Sequence, residues 1–334
     1  MNYVGRFAPS PTGPLHLGSL VSALASWLDA KAHQGTWIVR IEDIDSTRSH
    51  PHFSELILSQ LKACGLYSDV PIVYQSQRES IYLSYLQELM PSKLLYPCQC
   101  SRQQIELAQT QATSHFTENS PSNPLPNQLI YPGTCRGRGR VQKIDYLESN
   151  QKTYPTVYAQ EESVERSKFF QFYRNDSIRI QVPDQTIHWI DRRLGKQEQN
   201  LSREVGDFVL KSRDHHFSYQ WAVVVDDIDQ GVSDIVRGED LADNTPRQLF
   251  LYDLLSSTKP RYLHIPLVTT STGEKLSKQT HAPALDPSHA LNDLNQAARH
   301  LGLTPASSPL NERLLQWVKQ WADQQLITVS MGLK

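Results

Sequence analysis

Helix-like and strand-like hydrophobic patterns alternate along the N-terminal part of the chain, and this alternation restricts the folds open to it. Leu17, Leu20, Val21, Leu24 and Leu28 recur at helical spacing, with Gly35 as a stop, so a helix is expected to begin just after His16. Thr36–Ile41 follows as a buried strand rich in β-formers, with Glu42, Asp43 and Asp45 at its carboxyl end. Further helical patterns run through Phe53, Leu56, Ile57, Leu61 and Cys64, and through Ile81, Tyr82, Tyr85, Leu86 and Leu89. Helices between strands predict a parallel α/β sheet.

Past this region, Gln109 to Gln128 is almost free of aliphatic residues and holds Ser120, Pro121, Ser122, Pro124 and Pro126, which predicts a surface loop. Ile178–Val182, Thr186–Ile190 and Asp207–Lys211 read as strands. The continuous apolar run Ala222–Val225 reads as a central strand, and Pro246 as a helix start. With 39% apolar and 20% charged residues in 334, the composition is that of an ordinary globular protein. No apolar run reaches membrane-spanning length, and Met1 to Phe7 leads into Pro9, Ser10 and Pro11 without a charged-then-apolar stretch, so a soluble cytoplasmic protein is expected. A formal charge of −2 leaves RNA contacts to local clusters, namely Arg136, Arg138 and Arg140, and Arg192, Arg193 and Lys196.

The chemistry concentrates in Arg6-Phe7-Ala8-Pro9-Ser10-Pro11-Thr12-Gly13-Pro14-Leu15-His16-Leu17-Gly18, a strand end, a turn and a helix start. Unpaired N–H groups at a helix N-terminus favour phosphate, Gly18 leaves room for a nucleotide, and His16 can donate to a phosphate oxygen. Far along the chain, Lys275-Leu276-Ser277-Lys278 places two lysines about one hydroxyl, a pattern that by itself reads as a solvated surface turn. Recognition of an acid with two carboxylates and one ammonium calls for two arginines and a carboxylate, for which Arg6, Arg237 and Glu42 are candidates. Cys98, Cys100 and Cys135 are suited to zinc, with a fourth ligand still required; His115 is one candidate for it, and a metal-free cluster is the alternative. Cys64 falls on a helical apolar face and reads as core.

Together, His16-Leu17-Gly18-Ser19 after its Ala-Pro-Ser-Pro-Thr-Gly run and Lys275-Leu276-Ser277-Lys278 resemble the two signatures of class I aminoacyl-tRNA synthetases, in the form carried by glutamyl enzymes. Arg40-Ile41-Glu42-Asp43 and Arg237-Gly238-Glu239-Asp240 match two further elements of that group. The resemblance implies a Rossmann-type parallel sheet over residues 1–93 and 206–255, an insertion with a zinc site and loop over 94–205, and the lysine loop with a short helical part over 256–334. It implies catalytic roles for His16 and Lys278, and ATP contacts from His16, Gly18, Lys275, Ser277 and Lys278, with Mg2+ accompanying ATP. Glutamate contacts would come from Arg6, Phe7, Ala8, Pro9, Ser10, Glu42, Tyr219 and Arg237.

The Cys-x-Cys and Tyr-x-x-x-Cys pattern narrows the resemblance to the short glutamyl-Q tRNA(Asp) synthetase family, in which Cys98, Cys100, Tyr131 and Cys135 would hold one structural zinc ion. The stretch after Lys278 is too short for the helical anticodon-reading domain of a full glutamyl-tRNA synthetase, which points the same way. That family activates L-glutamate without tRNA and transfers it to queuosine at the wobble position of tRNA(Asp), so these partners and a monomeric enzyme are expected. A reduced glutamyl-tRNA synthetase charging the 3′ end and a non-catalytic RNA-binding relative are the alternatives.

Overall fold

The computed structural model describes residues 2–113, 130–137, 176–269, 276 and 283–330. These form two compact units. The first comprises residues up to 79, 188–197 and from 224 onward, and the second 80–187 and 198–223.

The first unit is built on a seven-stranded sheet in the order β3-β2-β1-β9-β10-β6-β7. Its strands are β1 (Val4–Phe7), β2 (Thr36–Ile41), β3 (Val73–Tyr74), β6 (Thr186–Asp191), β7 (Gly195–Asn200), β9 (Asp234–Gly238) and β10 (Arg261–Ile265), with the ends of β6 and β7 continuing into the second unit. Every pairing from β3 across to β6 is parallel, as expected from the alternating pattern. Helix α1 (Leu17–Ala32) buries Leu20, Val21, Leu24 and Leu28 against this sheet, and α2 (Pro51–Ala63) buries Ile57 and Leu61.

The chain leaves α1 through Gln34, which takes the left-handed φ of 52°. Gly35 serves a different purpose: a Cβ there would lie 2.5 Å from the Tyr3 carbonyl oxygen, so only glycine lets the turn pass β1. Near the C-terminus, helices Ala290–His300 and Leu310–Ser330 add Leu294, Ala297, Ala298, Trp317 and Trp321 to the same core. Buried Asp29 ties them in by accepting from Tyr3 Oη, Arg192 Nη1 and Nη2 and Trp321 Nε1.

The second unit carries a three-stranded antiparallel sheet ordered β4 (Leu95–Cys98), β5 (Ser177–Ile180), β8 (Phe208–Lys211). Helix α3 (Glu79–Glu88) leads into it and α4 (Arg102–Thr113) follows β4. The expected loop therefore begins later than Gln109, since α4 continues to Thr113; its remainder, including His115, lies outside the described residues.

One expectation is corrected. Ala222–Val225 is helical, within α5 (Tyr219–Asp229), not a strand. Trp221 to Val225 are all buried, and a segment covered on every side loses the periodicity that separates helix from strand. The distinguishing signal is Ser218, whose hydroxyl accepts from the Trp221 N–H three residues on, in the manner of a helix N-cap. Helix α6 (Thr245–Leu254) begins at Pro246 as predicted. Among the described residues, no helix is long and apolar enough to cross a membrane.

Candidate active site

Strand β1 lies between β2 and β9 and runs parallel to both, so three carboxyl ends emerge side by side, where open α/β sheets bind ligands. Arg6 is the penultimate residue of β1, Arg237 the penultimate residue of β9, and Glu42 directly follows β2. All three side chains are buried. The turn from Ala8 to Leu15 crosses this edge, held by the Glu42 N–H donating to the Pro9 carbonyl at 3.0 Å and the His50 N–H to that of Pro11 at 3.1 Å. Phe7 and Pro9 are buried, while Ser10 is exposed.

His16 caps α1 with its ring: Nδ1 accepts from the Gly18 N–H at 3.1 Å. A ring accepting at Nδ1 carries its proton on Nε2, which suits that atom to donate to a phosphate oxygen. A Cβ on Gly18 would lie 3.0 Å from His16 Cε1, so a side chain here would press on the capping ring.

Residues flanking the lysine loop lie beside this cap. Leu276 N–H donates to the Val268 carbonyl at 2.8 Å, and the Leu276 carbonyl is 3.5 Å from where a Gly18 Cβ would stand. Ala284 bridges to His16, and buried Gln60 joins the Leu15 N–H to the Leu285 carbonyl. The two signatures therefore meet at Gly18 and Leu276, while Lys275, Ser277 and Lys278 lie outside the described residues.

Beneath Arg6 and Glu42 is a buried ionic network that the sequence reading missed. Arg40 is fully buried; its Nη1 lies 2.8 Å from Asp227 Oδ1, its Nε 3.5 Å from Asp226 Oδ2 and its Nη2 3.5 Å from Glu42 Oε1. Arg6 Nε donates to Asp227 Oδ1 at 3.3 Å. Arg78 Nε and Gln75 Nε2 donate to the two oxygens of Asp226. An acid pair directly after an apolar helical run was the available signal, since Asp226 and Asp227 could be buried only with cationic partners.

Burial pushes the Glu42 carboxyl up to about 7 against the opposing pull of Arg40 and Arg6, with Asp227 and Asp226 adding to the rise. The native state thus holds this proton above the ordinary value of 4.5, so ionising Glu42 costs stability, a cost absent below pH 4.5 and fully present above about pH 7. Glu42→Gln should raise the melting temperature at pH 8 and leave it unchanged at pH 4, which thermal unfolding at the two pH values would check.

Arg237 is held apart from that network. Its Nε donates to His264 Nε2 at 3.1 Å, Nη1 to Gln248 Oε1 at 2.8 Å, and Nη2 to Thr245 Oγ1 at 2.9 Å and the Leu241 carbonyl at 3.2 Å. The basic clusters considered for RNA are largely engaged within the protein. Arg192 pairs with Asp29, Arg193 with Glu239 and Arg136 with Asp207, while Arg138 and Arg140 lie outside the described residues.

Within the second unit, the Sγ atoms of Cys98, Cys100 and Cys135 all lie within 4.8 Å of one another. Tyr131 Oη stands among them, 3.4 Å from Cys98 Sγ and 3.7 Å from Cys100 Sγ, and accepts the Cys135 N–H at 2.9 Å. The Arg179 guanidinium stacks 3.9 Å from the Tyr131 ring centroid. Burial opposes ionisation of Cys135, but hydrogen bonds led by Tyr131 outweigh it and hold the thiol down at about 7, whereas burial pushes Cys100 up to about 11. Three sulfurs and a phenol oxygen converging on one point can hold a thiophilic metal. Tyr219 opens α5 in this second unit.

Comparison with known proteins agrees with this fold. Residues 3–129 and 137–301 match the family described as tRNA synthetases class I (E and Q), catalytic domain. A glutamyl-Q tRNA(Asp) synthetase of Albidiferax ferrireducens is 48% identical over 96% of this chain and 98% of its own length. Another from Cupriavidus metallidurans is 44% identical over 96% and 92%. Among solved structures, the glutamate-tRNA synthetase of Elizabethkingia anophelis superposes with a TM-score of 0.69 at 25% identity, over 96% of this chain and 65% of its own. The chain therefore belongs to the class I tRNA synthetases of the glutamyl and glutaminyl type, within the branch of the glutamyl-Q tRNA(Asp) synthetases.

Proposed function

We propose that this enzyme uses ATP to convert L-glutamate to glutamyl-adenylate without tRNA, and then passes the glutamyl group to queuosine at the wobble position of tRNA(Asp). The observation that carries this reading is the set of Arg6, Glu42 and Arg237 at the carboxyl ends of neighbouring parallel strands, beside the His16-capped N-terminus of α1. Two cations and one carboxylate complement an amino acid with two carboxylates and one ammonium. The arginines bind the carboxylates, Glu42 takes the ammonium, and the backbone from Phe7 to Ser10 walls the substrate.

A glutamate α-carboxylate oxygen attacks the α-phosphorus of ATP, the bond from that phosphorus to the α,β-bridging oxygen breaks, and pyrophosphate leaves with the electron pair. His16 Nε2–H, Lys275, Ser277 and Lys278 contact the phosphates, and the helix N-terminus at Gly18 adds its partial charge. Mg2+ accompanying ATP would offset its phosphate charge. A hydroxyl of the queuosine cyclopentene-diol then attacks the acyl carbon, and AMP departs. Because Glu42 must be ionised to hold the ammonium, the KM for glutamate should rise by up to about tenfold per unit as pH falls below about 7, and Glu42→Gln should flatten that profile.

Cys98, Cys100, Cys135 and Tyr131 would hold one zinc ion, which would cross-link β4 to the segment carrying Tyr131 and Cys135 and leave no position open for catalysis. Chelation at neutral pH should release one zinc per chain and render the segments Leu95–Cys98 and 130–137 sensitive to protease; unchanged protease resistance of those segments in the metal-free chain would remove the structural role.

Pyrophosphate exchange with glutamate, run with and without tRNA, tests the reading as a whole. Exchange without tRNA is expected. Exchange only with tRNA would point to a glutamyl-tRNA synthetase, and none under either condition would leave a binding protein.

A further inference from the structure

Arg237 is held by a buried relay that no sequence motif announced. His264 is wholly buried on β10, level with Arg237 on β9. Its Nδ1 lies 2.6 Å from Asp191 Oδ2, and its Nε2 accepts the Arg237 Nε–H at 3.1 Å. Asp191 is also wholly buried and accepts from the backbone N–H groups of Arg193, Leu194 and His264, so it is fixed as an ionised acceptor. An imidazole between a carboxylate and a guanidinium has one useful form, with its proton on Nδ1 and its Nε2 lone pair turned to the arginine.

Guanidinium has five N–H donors. On Arg237, His264 takes Nε–H, Gln248 takes one hydrogen of Nη1, and Thr245 with the Leu241 carbonyl takes both of Nη2. Among the described residues, these partners leave one Nη1 hydrogen for a ligand. Rotation about the terminal bonds is blocked because each nitrogen is separately held. Within the reading given under Proposed function, we propose that His264, fixed by Asp191, is a positioning residue that aims this remaining Arg237 N–H at a substrate carboxylate and so sets the affinity for glutamate.

Pyrophosphate-exchange kinetics of His264→Phe, His264→Gln, Asp191→Asn and Arg237→Ala test this. His264→Phe keeps a planar ring but removes the acceptor, and should raise the KM for glutamate roughly 10- to 100-fold, the span expected for losing a hydrogen bond to a charged group. Its KM for ATP and its kcat should stay within about threefold of the parent. His264→Gln, whose Oε1 can take the Arg237 Nε–H, should recover most of the loss. Asp191→Asn should raise the glutamate KM by a smaller factor in the same direction, and it decides the matter if His264→Phe does not fold.

In the unaltered protein, long-range 1H–15N spectra should place the His264 proton on Nδ1. A proton on Nε2 would overturn the proposal. So would equal losses for ATP and glutamate, or a glutamine variant no better than phenylalanine. The underlying reading fails separately: if Arg237→Ala leaves the glutamate KM unchanged, Arg237 is not a substrate ligand. If Arg237→Ala raises it and the His264 and Asp191 variants do not, only the positioning role is lost.

Discussion

His16→Ala should lower kcat for glutamate-dependent pyrophosphate exchange about 100- to 1,000-fold at saturating substrates, the effect of removing one preorganised donor from a transition state that gains negative charge. The geometry makes the expectation specific. Nδ1 is occupied by the Gly18 N–H, so the ring is oriented by its own helix and Nε2 is its donor. The KM for glutamate should scarcely move, because Arg6, Glu42 and Arg237 are untouched. Losing the N-cap costs only about 1 kcal/mol of stability, so melting temperature and activity should part company. A kcat within threefold of the parent would remove His16 from the chemistry.

Asp227→Ala should destabilise the protein by about 3–5 kcal/mol, the cost of leaving buried charge uncompensated. Asp227 meets both Arg6 and Arg40, and the latter has no access to solvent in which to recover its hydration. Denaturant unfolding would measure this directly. Asp227→Asn keeps an acceptor oxygen and should lose less. Its more telling effect should be on glutamate, since Arg6 and Glu42 are both oriented through this network. A loss below about 1 kcal/mol for Asp227→Ala would show that the network contributes little to holding the fold.

The elements that carry the candidate site were legible in the sequence where the local pattern is strong. Helix α1 was set by the spacing of its leucines and β2, buried on both faces, by its run of β-formers, so the helix start at His16 and the strand end at Glu42 followed from the sequence. Arg6 and Arg237 were nominated as candidates by the charge of a two-carboxylate ligand together with the family resemblance. What the pattern could not give was partnership across long separations. Asp226 and Asp227 reach Arg40 and Arg78, and His264 reaches Asp191, through sheet order that no local signal encodes. The misreading of Ala222–Val225 has the same origin, since a segment buried on all sides shows no face. Arginines read as a basic face at 192 and 193 are spent on Asp29 and Glu239, because charge counted along a chain does not reveal its partners in space.

The destination of the glutamyl group separates this enzyme from a glutamyl-tRNA synthetase. The decisive measurement is to supply labelled glutamate, ATP and queuosine-containing tRNA(Asp), digest the tRNA to nucleosides, and locate the label by mass spectrometry. Glutamate is expected on the queuosine nucleoside of the anticodon and none on the 3′-terminal adenosine. Label on the terminal adenosine with unaltered queuosine would contradict it.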